Sequence, residues 1–241
     1  MKLLGTLKAR REDFLDRHAA ASDWRAWGFS AATLALWLAV RDDTASLRGC
    51  VLDAGSGRGS WRGVIGTNGA EYESIDMAPR GGNRPTWVGD VMRMPEVPDK
   101  RYDAIVCHQV LEHLPRPWAA LAEFYRVLKP GGQVILSAPH LSRRHELPHD
   151  YFRFTQEGMR SLLSDAGFGN IVVRPVGGIF GFLHHQVSCV FPGLLAPLPV
   201  VGTVLAMANL PFAWLAVWLD RLADPAALAP GGVFATARRP G

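Results

Sequence analysis

The stretch Val51-Leu52-Asp53-Ala54-Gly55-Ser56-Gly57-Arg58-Gly59 joins an apolar strand to an acidic residue and then to glycines at alternate positions. Glycine has no Cβ and populates φ > 0, so such a loop turns sharply and lets a ligand lie against the backbone. A dinucleotide fingerprint, Gly-x-Gly-x-x-Gly, would place its third glycine at position 60. Ser60 stands there instead. The spacing therefore speaks against a pyrophosphate seated on the helix N-terminus. A plain surface turn is the alternative.

Outward from this loop the chain alternates short apolar runs with helical patterns. Strands are expected at 50–53, 72–76, 86–89, 102–107, 133–138, 170–176 and 233–237, bounded by Gly, Pro or Asp. A helix is expected from Trp118 to Leu128, closing at Lys129-Pro130-Gly131-Gly132. Another is expected over 156–166, with Thr155 as N-cap and Gly167 as its stop. Residues 1–47 read as helical, with an aromatic segment at 24–29 that either packs on the sheet or forms part of a lid. Such alternation implies crossovers and a mainly parallel, doubly wound sheet, which binds ligands at the carboxyl ends of its strands.

Asp76 ends the second expected strand, where a carboxylate can accept two hydrogen bonds from a ribose. Gly89-Asp90-Val91 ends the third, and Tyr102-Asp103-Ala104-Ile105-Val106-Cys107-His108-Gln109-Val110-Leu111-Glu112-His113-Leu114 covers the fourth. Arg126-Val127-Leu128-Lys129-Pro130-Gly131-Gly132-Gln133-Val134-Ile135-Leu136 leads into the fifth. Together with the glycine loop, these motifs resemble in order those of the class I S-adenosylmethionine-dependent methyltransferases, and in particular the type 11 enzymes. The resemblance covers residues 49 to 139.

It implies a Rossmann-like, seven-stranded sheet with an antiparallel last strand, and S-adenosyl-L-methionine as cofactor. It also implies that Asp53 and the backbone of Gly55, Gly57 and Gly59 hold the methionine half, with Asp76 and neighbouring Met77 at the ribose. Asp90 would take the adenine amine, Val91 would lie beside the ring, and His108 and Gln109 would line the methionine moiety.

For the acceptor, the loop after the fifth strand is the richest candidate: His140, His145, Tyr151 and Arg153 are expected to bind it. His149, paired with Asp150, and His113, paired with Glu112, are candidate general bases for a weakly nucleophilic acceptor, and a structural role is the alternative for each pair. Glu112 has no second histidine at helical spacing beyond His113, so no metal site is expected.

No Asp, Glu, Lys or Arg occurs between Arg174 and Asp220, which an ordinary solvated loop would not tolerate. Prolines 192, 197, 199 and 211 are expected to cut this insertion into pieces short of a membrane span. Trp214 and Trp218, next to Asp220 and Arg221, suit an interface, so a membrane-dipping hairpin over 179–230 is expected. A protein-covered cap or homodimer interface is the rival.

The expected division is a helical segment over 1–48, a cofactor-binding core over 49–178 plus 233–241, and the insertion over 179–232. The net charge of +4 comes from scattered residues, so nucleic acid is not an expected partner. Cys50, Cys107 and Cys189 are far apart and the apolar run at 3–7 is too short for a secretory signal. A cytoplasmic chain, peripheral on the inner face of the membrane, is expected. The acceptor would be a small molecule, a lipid or a lipid-linked glycan; the alternative function is cofactor binding without turnover.

Overall fold

Short, largely apolar runs give the described residues seven strands in one sheet: β1 (Cys50–Ala54), β2 (Glu71–Asp76), β3 (Trp87–Val88), β4 (Tyr102–His108), β5 (Leu128–Pro139), β6 (Gly169–Val176) and β7 (Gly232–Arg238). The computed structural model describes residues 30–65, 69–195, 199–224 and 226–241, without the side chains of 189–207. The helices expected before residue 30 and the aromatic segment 24–29 lie outside the described residues.

The strand order is β3-β2-β1-β4-β5-β7-β6. β1 runs parallel to β2 and β4, β2 to β3, and β4 to β5, while β7 is antiparallel to β5. Val51, Leu52, Ala54, Ile105, Val106, Ile135 and Leu136 are fully buried, as strands covered on both faces require. The chain moves to one side of β1 for β2 and to the other for β4. That reversal opens a crevice outside the carboxyl ends of β1 and β4.

Helices α1 (Ala31–Thr44), α2 (Arg62–Ile65), α3 (Pro117–Val127), α4 (Gln156–Asp165), α5 (Ile179–Leu195) and α6 (Pro199–Ala223) complete the described elements, with a 3-10 turn at Leu111–His113. On α3, Ala120, Leu121, Phe124 and Val127 share one face and are all fully buried. Truncating Leu121 or Phe124 to Ala should cost about 2–5 kcal/mol. The helix ends sooner than expected, because Leu128 is already extended at ψ 143°. Lys129 is thus not a helix-end cation: its Nζ lies 2.8 Å from both oxygens of Asp103, which also accepts the Cys50 N–H at 2.9 Å. α4 starts as expected, with Thr155 Oγ1 accepting the Gly158 N–H at 2.9 Å.

The described residues form two compact units, one of 40–175 with 232–241 and one of 30–39 with 176–231. In the second, α5 runs through Pro192 and α6 through Pro211, so these prolines do not break the insertion where the sequence suggested. Proline removes one N–H and crowds the preceding turn, a cost that packing offsets here: Ala213, Ala216 and Val217 are buried.

Asp220, expected at a wet boundary, is itself buried. Its carboxylate accepts the N–H groups of Gly178, Phe180 and Gly181 at 2.8, 2.9 and 3.1 Å, and Asp224 accepts that of Ile179 at 2.8 Å. These two acids satisfy the orphan donors at the start of α5 and close the base of the helix pair.

Candidate functional site

The glycine loop leaves β1 with Gly55, Gly57 and Gly59 all at positive φ, +77°, +52° and +75°. Backbone bonds set the first turn: the N–H groups of Gly55 and Ser56 both donate to the Ile75 carbonyl, at 2.9 and 3.1 Å. A Cβ on Gly55 would stand 2.5 Å from Val110 Cγ2, so this position has room only for glycine. At Gly57 a Cβ would meet nothing within 4 Å, and this side of the loop is open.

The Gly57 N–H donates to Asp76 Oδ2 at 2.7 Å, which couples the loop to the end of β2. Asn83, which the sequence reading missed, donates to the Gly57 carbonyl at 3.0 Å and to Ser56 Oγ at 3.2 Å. Only its place just after Gly81 and Gly82, in a turn following β2, hinted at it.

Asp53 lies within the sheet at 1% exposure, where Tyr72 Oη donates to its Oδ2 at 2.6 Å. Burial pushes its carboxyl up to about 7, against the stabilising Tyr72 bond. Met77 is exposed beside Asp76. Asp90 Oδ1 accepts the Met92 N–H at 2.8 Å, and Val91 between them is buried.

At the end of β4, Gln109 adopts φ +57°, a strained backbone for a residue with a side chain. Its N–H donates to the Ser137 carbonyl at 2.9 Å. The His108 ring is buried between Trp61 and Phe234, with centroids 5.2 and 5.8 Å away, and its Nδ1 lies 3.1 Å from Ser137 Oγ. Burial drives its pKa down to about 3, so the ring is neutral at ordinary pH.

The loop after β5 folds back on the 3-10 turn. The Glu112 carbonyl accepts the N–H groups of Tyr151 and Phe152 at 2.8 and 3.3 Å, and the Pro139 carbonyl accepts that of Phe154 at 3.0 Å. His140 Nδ1 lies 3.0 Å from the Phe154 carbonyl oxygen. The expected pairing of Asp150 with His149 does not form. Asp150 instead takes a bidentate contact from Arg153, at 2.6 and 3.0 Å, and accepts the His145 N–H at 3.0 Å.

The guanidinium fork matches a carboxylate better than a single ring nitrogen does. Arg153 also donates to the Ser142, Arg143 and Phe152 carbonyls at 3.2, 2.8 and 2.7 Å, so its charge is spent inside the loop. His149 is exposed, with Nδ1 3.3 Å from Tyr151 Oη; Tyr151 is half-exposed beside it.

His113 Nδ1 lies 2.6 Å from the His149 carbonyl oxygen, and its Nε2 lies 3.7 Å from Glu112 Oε1. His145 Nε2 reaches the same oxygen at 3.8 Å, and facing it raises the His145 pKa. A second histidine beside Glu112 thus comes not from the helical register but from the loop after β5. Glu112 is fully buried, and neither carboxylate oxygen has a hydrogen-bond partner among the described residues.

A family model described as a methyltransferase domain matches residues 17–172. An uncharacterized methyltransferase of Mycobacterium ulcerans is 32% identical over 112 residues, 42% of this chain and 43% of that protein. The ubiquinone biosynthesis O-methyltransferase of Pseudomonas putida is 32% identical over 114 residues, 40% of this chain and 47% of that protein. The match thus spans less than half the length of these curated relatives.

Among solved structures, Haemonchus contortus phosphoethanolamine N-methyltransferase 2 in complex with S-adenosyl-L-methionine aligns with TM-score 0.59 at 18% identity, over 95% of this chain and 60% of that one. The cyclase SpnF aligns with TM-score 0.57 at 21% identity, over 86% and 81%. At these identities the likeness is one of fold.

Proposed function

Because this chain belongs to the class I, S-adenosylmethionine-dependent methyltransferase family, we propose that it transfers a methyl group from S-adenosyl-L-methionine to an acceptor bound beside the loop at 140–155. The observation that carries the reading is the coupling of Gly57 to Asp76 beside an open face of the loop. Asp76 gives one oxygen to that N–H, and its other is assigned to a ribose hydroxyl. Asp90 is assigned to the adenine amine with Val91 at the ring and Met77 at the rim. Asp53, the glycine backbone, His108 and Gln109 are assigned to the methionine side.

When bound, the cofactor supplies a methyl group already activated by its sulfonium. The protein's task is then to hold the acceptor in line with that methyl. His149, as an exposed ring on the loop, is assigned to accept the proton of a hydroxyl acceptor, and His140 and Tyr151 to contact the acceptor. Arg153 and Asp150 keep the loop in shape.

We assign a lipid or lipid-linked acceptor on the strength of the insertion. On α6, Phe212, Leu215, Trp218 and Leu222 are exposed by 62%, 49%, 56% and 65%. No described helix is long and apolar enough to cross a membrane. A helix face of this kind suits the surface of the inner leaflet, with a homodimer contact as the competing use.

Flotation with anionic liposomes tests this reading: Trp218→Ser with Leu222→Ser should abolish co-flotation, and wild-type protein that never floats would sink it. Transfer of labelled methyl from the cofactor to a membrane extract tests the activity. Cofactor binding with no label in the lipid or aqueous phase would leave a binding protein without turnover.

A further inference from the structure

Glu112 is the one buried carboxylate of the described residues with both oxygens lacking a hydrogen-bond partner. Leaving an ionised carboxylate so placed is costly by several kcal/mol unless a cation compensates it. Two imidazoles face it, and their tautomers follow from their other nitrogens. His113 Nδ1 sits on the His149 carbonyl at 2.6 Å, and His145 Nδ1 on the Arg143 carbonyl at 3.3 Å. A carbonyl only accepts, so both Nδ1 atoms carry their protons and both neutral rings present an Nε2 lone pair.

The two Nε2 atoms lie 3.7 and 3.8 Å from Glu112 Oε1. The separation is too long for an N–H···O bond, which wants roughly 2.7–3.2 Å, so a proton on either ring would not close the gap. It is close to what a shared metal requires. Ligand atoms each ~2.0–2.2 Å from a tetrahedral zinc stand about 3.3–3.6 Å apart. The ligand atoms of all three side chains lie within 4.8 Å of one another, and the two rings meet edge to face at 79°.

We propose that Glu112, His113 and His145 form a three-ligand site for a zinc-class divalent cation, with the remaining coordination position open to solvent. Each imidazole anchors its far N–H on a backbone carbonyl, the usual outer support of a metal-bound histidine. Glu112 and His113 sit on the 3-10 turn after β4, and His145 is held by its N–H to Asp150, itself clamped by Arg153. The Glu112 side chain is sealed, whereas those of His113 and His145 are 21% and 32% exposed, so the open position lies on the histidine side. A nitrogen-rich donor set with one carboxylate favours zinc, cobalt or iron over magnesium or calcium. The bound ion would tie the turn after β4 to the loop after β5 and offer a place for one oxygen ligand.

The test uses the full chain, stripped with a chelator and titrated with Co²⁺ as a spectroscopic stand-in for zinc. Wild type should bind one equivalent, with visible d–d bands of a four- or five-coordinate site and two strongly shifted, exchangeable imidazole N–H proton signals. Glu112→Gln and His145→Ala should each weaken binding by more than the roughly 10–100-fold loss that removing an outer partner causes. His149→Ala, which keeps its backbone carbonyl, should bind as wild type does. Circular dichroism checks each variant, and His113→Gln replaces any that fails to fold. Failure of wild type to take up Co²⁺, as a simple Glu112–imidazolium pair would dictate, overturns the proposal; so does stoichiometric binding that survives in both Glu112→Gln and His145→Ala.

Discussion

Gly55, Ser56 and Gly57 take their shape from backbone bonds to Ile75 and from the carboxylate of Asp76, all within the adjoining ends of β1 and β2. The turn at Glu112 is held differently. Its neighbours Tyr151, Phe152, His145 and His149 come from a loop that follows a different strand, and that loop is braced by Arg153 through its own carbonyls and Asp150. The first region is rigid because its donors and acceptors belong to the sheet. The second is only as rigid as the Asp150–Arg153 clamp, so disturbing one region should leave the other's ligand largely unaffected.

Gly55→Val gives the strongest test. The positive φ alone should cost about 1–3 kcal/mol, and the collision with Val110 adds to it. Urea denaturation and cofactor titration should both register the loss. Next, Asp76→Ala should weaken cofactor binding by about 1.5–3 kcal/mol, the worth of a charged hydrogen bond, and speed exchange of the Gly57 amide it releases, with no change in the amides of 142–153. An unaltered affinity by calorimetry would remove Asp76 from the site.

Gly57→Ala, with φ +52° but open space around the new methyl, should cost only about 1 kcal/mol of stability. In the other region, Arg153→Leu should accelerate amide hydrogen exchange across 142–153 severalfold and raise the KM for the acceptor, while the cofactor Kd stays as it was. A parallel fall in cofactor affinity would mean that the two regions are not independent.

The smallest effect is expected in the pH dependence of wild-type stability, because two buried groups oppose each other. Asp53 titrates at about 7 when folded and near ~3.9 when unfolded, so the native state holds the extra proton between these values. Its contribution is present below ~3.9 and is lost as pH rises through 7. His108 titrates at about 3 when folded and near ~6.5 when unfolded, so its contribution is present above ~6.5 and is lost as pH falls towards 3. Between ~4 and ~6.5 the slopes nearly cancel. Asp53→Asn should leave stability rising with pH across that window, and His108→Gln should leave it falling, by at most about 1.4 kcal/mol per pH unit in each case. Denaturation midpoints at a series of pH values would show it, and slopes of like sign in both variants would contradict the assignment.

Much of the sheet was legible because each strand is a local apolar run with a glycine, proline or acid at its end. The same holds for Thr155, whose capping bond to Gly158 spans one turn. Asp76 was legible as a carboxylate at a strand end. Glu112 was not legible as a meeting point: the second imidazole comes from His145, and no helical or strand period relates the two positions. Asp150 looked like a partner for the adjacent His149, but the fork of Arg153 offered it two bonds instead of one. Asp220 read as a boundary charge and proved to be a buried cap for α5, since the donors it satisfies lie some forty residues earlier.

By itself the sequence determined the alternation of strands and helices, the glycine loop that needs positive φ, and the family whose motifs those are, because each rests on contacts within a turn or on a period along one element. Tertiary structure alone decided which acid meets which base. It gave Asp150 to Arg153, Asp220 to the start of α5, and two imidazoles to Glu112, because a buried charge takes the partner that desolvation and geometry allow rather than the one nearest along the chain.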